Sequence, residues 1–346
     1  MNFASDNAYG ADPEILKALA AASAGAVASY GDDPLTKQLQ TAMAKVFEHD
    51  VAVFPVMTGT AANALALSTL CPQHGAVICH DHAHIAVDEC GAVEFYTHGA
   101  KLALVEGKHG KLTPQAIERA LKTFRKGDVH SAQPSVISLT QATESGTVYT
   151  LKEIAEIAAL ARAHDMKLHM DGARFANALA HLGASPAEMS WKAGVDVLSF
   201  GATKNGALCA EAVVFFNPDD VRDFEYRRKK AGHLVSKMRF VSAQLVSYLE
   251  NDRWLASAAR ANALAKRLAQ GLAAVPDADI VHPVEANAIF VRLPDKTIAH
   301  LRDKSARFLD WAPSENGHTL IRLVTSFATP DGDIERFLDI ARRESA

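Results

Sequence analysis

The chain has 346 residues, a formal net charge of −4 and a hydrophobic fraction of 49%, values ordinary for a soluble globular protein. That length is too great for one simple core and predicts a large unit with a smaller one, while the acidic balance argues against nucleic acid as a partner. Four cysteines, Cys71, Cys79, Cys90 and Cys209, form no C-x-x-C pair and sit in apolar stretches, so they read as reduced core thiols in a cytoplasmic setting. The stretch from Met1 to Gly10 lacks the apolar core of a signal peptide, and no uncharged apolar run reaches membrane-spanning length.

Helix starts punctuate the chain. Asp12-Pro13-Glu14, Asp33-Pro34 and Thr113-Pro114 each put a capping side chain before proline at the first helical position, and Thr150 with Glu153 forms a capping box. Short apolar runs fall between them: Val51–Val56, Ala76–Cys79, Val136–Leu139, Lys167–Met170, Val195–Phe200 and Ala212–Phe216. They have strand length and mostly lack alternation, as strands buried on both faces do. Strands alternating with helices predict an α/β domain with a mostly parallel sheet, whose sites lie beyond the carboxyl ends of the strands. After about residue 240 the character changes. Val241–Val275 reads as one long alanine-rich helical stretch, followed by strand candidates at Asn287–Leu293 and Thr319–Ser326, which together predict a small α+β domain.

Candidate chemistry gathers at strand ends. The run Lys167–Met170 leads into Asp171-Gly172-Ala173-Arg174, and Val195–Phe200 leads into Gly201-Ala202-Thr203-Lys204-Asn205-Gly206. A lysine flanked by buried strands is desolvated, which lowers its pKa and suits it to Schiff-base formation. Lys204 with Asp171 matches the needs of pyridoxal phosphate (PLP), which takes a lysine for its aldehyde and an acid for its pyridinium nitrogen. Thr58-Gly59-Thr60 opens a helix after Val51–Met57 and offers N–H groups to a phosphate; no Walker lysine follows. His80, His82 and His84 alternate in an extended run, so a metal site competes there with a single ring-stacking histidine.

Taken in order, these segments resemble the L-threonine aldolases, PLP enzymes of fold type I. The matching stretches are Ser5-Asp6-Asn7, Tyr30-Gly31-Asp32-Asp33-Pro34, Thr58-Gly59-Thr60-Ala61-Ala62-Asn63, Ala83-His84 with Glu89-Cys90-Gly91, His169-Met170-Asp171-Gly172-Ala173-Arg174, Thr203-Lys204 and Ile321-Arg322-Leu323-Val324-Thr325. The resemblance implies an aspartate-aminotransferase-like fold. An N-terminal arm (1–14) would contribute to the active site, a large domain (15–240) would bind PLP and a small C-terminal domain (241–346) would close over it.

Roles follow from the same resemblance. Lys204 would hold PLP, Asp171 its pyridinium nitrogen, and Thr58, Gly59 and Thr60 its phosphate, with Thr203 and Arg174 also against the cofactor. His84 would stack on the ring, and His130 would stand near the substrate hydroxyl. Ser5, Tyr30, Arg174 and Arg322 would bind substrate, the two arginines and the serine at its carboxylate. Lys229, in the run Arg227-Arg228-Lys229-Lys230, and Lys237 lie where the family sends cations into a neighbouring subunit's site, implying a homodimer or homotetramer with shared sites. Read from the residues alone, the same run is a solvated helix face. Ala142-Thr143-Glu144 and Asn205 depart from the Asn-Thr-His and lysine–glycine sequences of better-known members and resemble a branch that accepts bulky β-substituents such as phenylserine. The implied reaction is retro-aldol cleavage of L-threonine, L-allo-threonine and related β-hydroxy-α-amino acids to glycine and an aldehyde, with His84, His130 or a water they hold as base. Another PLP reaction on the same fold, such as β-elimination, transamination or racemisation, is the alternative, and a metal-binding protein built on His80, His82 and His84 is a second.

Overall fold

Each expected cap opens a helix in the computed structural model, which describes residues 1–221 and 223–343. The last three positions of the expected C-terminal domain lie outside the described residues. Asp12 accepts from the Glu14 N–H (2.8 Å) at the start of Pro13–Ala22, and Asp33 accepts from the Thr36 N–H (2.9 Å) at the start of Pro34–Phe47. Thr113 caps Pro114–Leu121, and Thr150 and Glu153 close a capping box on Leu151–Ala163. Each cap is worth about 1 kcal/mol by satisfying an otherwise orphaned helix N–H.

The central sheet has seven strands: β1 (Ala52–Val56), β2 (Gly75–His80), β3 (Lys101–Val105), β4 (Gln133–Thr140), β5 (Lys167–Gly172), β6 (Val197–Gly201) and β7 (Glu211–Phe215). They lie in the order β1-β7-β6-β5-β4-β2-β3, with β7 antiparallel to both of its neighbours. β3 was not foreseen; Leu104 on it is exposed and the strand forms the sheet's edge, so it lacks the buried apolar run that marks the others. Register sets Thr140 beside Asp171 and Asp171 beside Ser199, so the carboxyl ends of β4, β5 and β6 finish at one level. Two glycines let them close up. A Cβ on Gly172 would stand 2.8 Å from the Ser199 carbonyl oxygen, and one on Gly201 would stand 2.7 Å from Ala173 Cα; neither spacing admits a side chain.

A second sheet of four antiparallel strands, β8 (Asp279–Ile280), β9 (Ala288–Pro294), β10 (Leu309–Asp310) and β11 (His318–Val324), is ordered β10-β11-β9-β8. The expected continuous helix before it is broken. One helix spans Arg239–Leu249 and another Arg253–Leu272, and between them Asn251 and Asp252 take positive φ, 54° and 53°. The first packs in the core of the large sheet through Val241, Leu245 and Tyr248. The second passes from one core to the other: Trp254 and Ala258 pack with the large sheet, and Leu264, Leu268 and Leu272 with the small one. Alanine-rich composition favours helix throughout and gives no warning of the turn, which lets Trp254 lie parallel to Phe175 at 6.5 Å.

The N-terminal segment belongs physically to the small sheet. Phe3 is fully buried against Phe337 (5.3 Å, edge-on), its N–H donates to the Arg307 carbonyl and its carbonyl accepts from the Val324 N–H. That anchorage delivers Ser5 and Asp6 to the seam between the sheets. Of the cysteines, Cys71 and Cys79 are buried, but Cys90 is exposed and Cys209 partly so; Cys90 sits in a turn at φ 52°, which corrects the reading of all four as core thiols. Among the described residues no helix is long and apolar enough to cross a membrane.

Candidate active site

The carboxyl ends of β4, β5 and β6 meet the amino end of the helix Gly59–Leu70 around a cleft of ≈ 520 Å³, lined by Thr58, Gly59, Thr60, His84, Thr203 and Lys204 among others. A smaller space adjoins it and is bounded by Asn63, Glu89, Glu144, Asp171 and Arg174. A larger cavity, ≈ 700 Å³, lies beside Pro134 and His164 at the amino ends of β4 and β5 and contains none of these groups. We place the chemistry in the first, because titratable groups with displaced pKa values converge there.

Lys204 lies in a single 3₁₀ turn (Thr203–Asn205) directly after β6. Three bonds hold the turn from behind: the Ala202 N–H donates to Glu211 Oε2 (2.9 Å), and Asn205 Nδ2 donates to the Tyr248 hydroxyl (2.8 Å) and the Trp254 carbonyl (2.8 Å). Asn205 thus ties the loop to the aromatic core. Burial pushes the Lys204 amine below its ordinary value, and the nearby Arg174 charge pushes the same way. Burial raises Glu211 to about 7.

Asp171 is the penultimate residue of β5, inside the strand rather than just beyond it. Its Oδ1 accepts from the Ala173 N–H (2.9 Å) and its Oδ2 from Asn63 Nδ2 (2.8 Å). Two residues back, His169 is clamped between the hydroxyls of Ser138 (2.8 Å) and Ser199 (3.0 Å), and burial lowers its pKa to about 4. It is a neutral floor under Asp171.

His84 opens a one-turn helix (His84–Val87) whose N-cap, Ala83, has no side-chain acceptor. Glu144 supplies one from sixty residues away: its Oε1 accepts from the His84 N–H (2.8 Å) and from Thr140 Oγ1 (2.8 Å). Glu89 Oε1 sits 2.8 Å from His84 Nδ1 and raises the imidazole pKa through that bond. The proton is therefore assigned to Nδ1, which leaves Nε2 as the free ring nitrogen. His80 and His82 do not join it. The His80 ring bonds the Gly107 carbonyl and the His82 N–H, and no group of three or more His, Cys, Asp or Glu among the described residues is placed to hold a metal ion.

At the helix amino end, Thr58 Oγ1 accepts from the Ala61 N–H (3.1 Å), and nothing lies within 4 Å of where a Gly59 Cβ would be. A helix start with open space beside it is a cradle for an anion. On the far side, Arg174 forms a two-pronged pair with Asp6, Nε to Oδ2 at 2.8 Å and Nη2 to Oδ1 at 3.0 Å, which leaves Nη1 outside the fork. Asn287 Nδ2 bonds the same Asp6 (3.0 Å). Ser5 caps the turn that carries Asp6. Arg322, on β11, lies over the Trp311 ring at 4.9 Å, and its Nε is buried without a partner.

Four expected residues stand apart from this cleft. His130 is exposed in a turn ahead of β4, the length of that strand away from Thr140. Tyr30 is exposed and stacks with Lys229, whose Nζ is 4.5 Å from the ring centroid. Lys237 is exposed. In the same basic run Arg228 is buried instead, between Glu225 and the Phe54 ring, so the helix face is only partly solvated. The sequence alone assigns no role to Asp6, Asn63, Glu89, Glu211 or Asn287, although the first three lie inside the segments that resemble the threonine aldolases.

The profile of the β-eliminating lyase family matches residues 2–296. A low-specificity L-threonine aldolase from Pseudomonas aeruginosa is 48% identical over 340 residues, covering 98% of this chain and 96% of the relative. The structure of the Leishmania major threonine aldolase superposes with a TM-score of 0.95 at 28% identity, covering 100% of this chain and 99% of that one. A serine palmitoyltransferase from Sphingomonas wittichii, at 17% identity and a TM-score of 0.72 over 99% of this chain and 86% of its own, shares the fold. The architecture is therefore fold type I, as the sequence led us to expect. Similarity of this extent makes the chain a member of the β-eliminating lyase family, in its low-specificity L-threonine aldolase group.

Proposed function

We propose that the protein is a PLP-dependent carbon–carbon lyase that cleaves L-threonine, L-allo-threonine and related β-hydroxy-α-amino acids, phenylserine among them, to glycine and an aldehyde. The observation that carries this reading is the convergence of the Lys204 amine, the Asp171 carboxylate and the His84 ring on one cleft at a helix amino end. The cleft fits PLP: it offers a lysine made more nucleophilic by burial, an acid for the ring nitrogen and an open cradle at Gly59.

Thr58, Gly59 and Thr60, with Thr203, would hold the phosphate, and Lys204 the aldehyde carbon. When bound, PLP would supply an electron-withdrawing ring to take up the pair released when the Cα–Cβ bond breaks. Asp171, held by an N–H at each of its two oxygens, would face the ring nitrogen. Arg174, through Nη1, Arg322 and Ser5 would grip the substrate carboxylate and so fix which Cα bond stands across the ring. His84 Nε2 would take the β-hydroxyl proton as the aldehyde carbonyl forms, and that proton, returned to Cα, would complete glycine. We assign Tyr30, His130, Lys229 and Lys237 to the cleft of a neighbouring copy in a homodimer or homotetramer, and the enzyme to the cytoplasm.

The test is product analysis with PLP and L-threonine. Glycine and acetaldehyde in equal amounts are expected; 2-oxobutanoate with ammonia would mean β-elimination and overturn the reading. Lys204→Ala should abolish turnover and the covalent attachment that borohydride traps. In the wild-type apoenzyme, the rate of PLP attachment should rise with pH and level off below 10.5, the ordinary lysine value.

A further inference from the structure

We propose that Asn63 is a positioning residue that couples the two ends of the ring site, by setting one amide nitrogen between the carboxylates of Asp171 and Glu89. The roles of Asp171 and His84 in this argument rest on the function proposed above; the geometry does not.

Asn63 projects from the helix Gly59–Leu70, the same helix whose start forms the phosphate cradle, and is 2% exposed. Its Nδ2 lies 2.8 Å from Asp171 Oδ2 and 2.8 Å from Glu89 Oε1. An amide nitrogen carries two protons, so it can serve both carboxylates at once without adding charge. Glu89 Oε1 is also the atom that holds His84 Nδ1. A continuous path therefore runs Asp171–Asn63–Glu89–His84, from the acid of the ring nitrogen to the imidazole.

The arrangement has a cost that a purely structural residue would avoid. Asn63 Oδ1 is buried with no partner, and so is Glu89 Oε2. The helix is otherwise buried through alanine and leucine at this level, and an apolar residue at 63 would remove one orphan acceptor. It would also leave two buried carboxylates facing each other with no donor between them, and such a pair takes up a proton. Whichever carboxylate is neutralised, one end of the path fails: Asp171 loses its charge, or Glu89 loses its hold on His84.

The charged and titratable groups facing this pair are His84, Glu144, Lys204, Arg174, His169 and Glu211. They remain in place in every variant below, so differences between variants isolate Asn63.

The experiment compares wild type, Asn63→Ala, Glu89→Gln and the double variant. It reads PLP dissociation constants by absorbance titration, the pH profile of kcat/KM, and the melting temperature of each apoprotein across pH. Asn63→Ala should weaken PLP binding about tenfold, the scale of one charged hydrogen bond, and move the acid limb set by His84. Its apoprotein should lose stability relative to wild type as pH rises, because a carboxyl pair that binds an extra proton when folded is favoured at low pH. In the Glu89→Gln background only one carboxylate remains, so adding Asn63→Ala should change PLP affinity by less than about threefold and bring no pH-dependent loss. Equal losses of affinity in both backgrounds, or an unmoved acid limb, would overturn the proposal. If wild type itself binds no PLP or releases no glycine from threonine, the function proposed above has failed; the apoprotein melts still decide whether Asn63 separates the carboxylates.

Discussion

At the ring end of the cleft, Asp171, Asn63, Glu89 and His84 cluster at the carboxyl edge of a single sheet, whereas at the carboxylate end Arg174 meets Asp6 and Asn287 across the seam between two separately packed sheets. The first is a neutral amide among acids and one imidazole: register between β4, β5 and β6 sets Asp171, and the helix Gly59–Leu70 and the segment after β2 bring Asn63, Glu89 and His84 to it. The second is an ion pair whose partners come from residues 6 and 174, with Arg322 nearby on the small sheet. Groups fixed on one sheet are suited to chemistry that tolerates little displacement. Groups spread over two cores report on how those cores sit together. Loss of the Asp171 charge at the ring end should therefore appear mainly in kcat, and loss of the Arg174–Asp6 pair at the carboxylate end in affinity and stability.

The largest effect is expected from Asp171→Asn. It removes a charge from the ring site but preserves shape, and an unbalanced buried charge is worth roughly 3–5 kcal/mol, or about 10²–10⁴-fold in rate. Single-turnover kinetics should show the loss in kcat while PLP still binds through its phosphate; rates near wild type would sink the distinction between the two ends. Asp6→Ala should act on the other quantity. It strands Arg174, whose pKa is held up by the Asp6 carboxylate against burial, and should cost about 3–5 kcal/mol in urea unfolding. Because Arg174 is charged at every accessible pH, this loss should persist at neutral pH and shrink in wild-type comparisons only in acid, where Asp6, lowered from its ordinary value by Arg174, takes up its proton.

These two variants also mark what the sequence reveals. Asp171 and Lys204 were legible because a buried strand ending in a polar residue is a local pattern, and the cradle was legible because a glycine and hydroxyls opening a helix are adjacent. Asn63 and Asp171 are 108 residues apart, Asp6 and Arg174 168, and Asp6 and Asn287 281. No periodicity or cap rule links such positions; only the fold brings them together. The turn at Asn251 and Asp252 was hidden for a related reason, since tertiary packing of Trp254 overrides helix propensity there. The exposed setting of His130, Lys229 and Lys237 likewise follows from strand direction and helix facing rather than composition.

A smaller effect should follow Arg322→Ala. The guanidinium already lies on Trp311, and its orphan Nε waits for an acceptor. Losing one charged hydrogen bond to the substrate carboxylate costs about 1.5–3 kcal/mol, roughly 10–150-fold. The loss should fall on KM and on glycine affinity alike, because glycine shares only the carboxylate and amine with threonine. Unchanged glycine affinity would remove Arg322 from the carboxylate end.

Glu144→Gln should have the smallest effect, and its smallness is informative. Burial raises the Glu144 pKa, and the neighbouring Asp171 charge raises it further. Glu144 Oε1 already accepts from both the His84 N–H and Thr140, and Oε2 is buried without a partner. A neutral carboxylic acid is compatible with that setting, and glutamine reproduces it: one acceptor oxygen at the cap of the His84 turn and one donor group in place of the acid hydroxyl. Activity should stay within about threefold of wild type, whereas Glu144→Ala should uncap the turn and loosen His84. The sign of the pH dependence distinguishes the protonation states. A carboxyl whose pKa is raised on folding contributes stability at low pH and loses it as pH rises through the folded value. Replacing it by glutamine removes that loss, so the variant should gain melting temperature relative to wild type as pH increases. A fixed difference across pH would show that folding leaves the Glu144 carboxyl at its ordinary value.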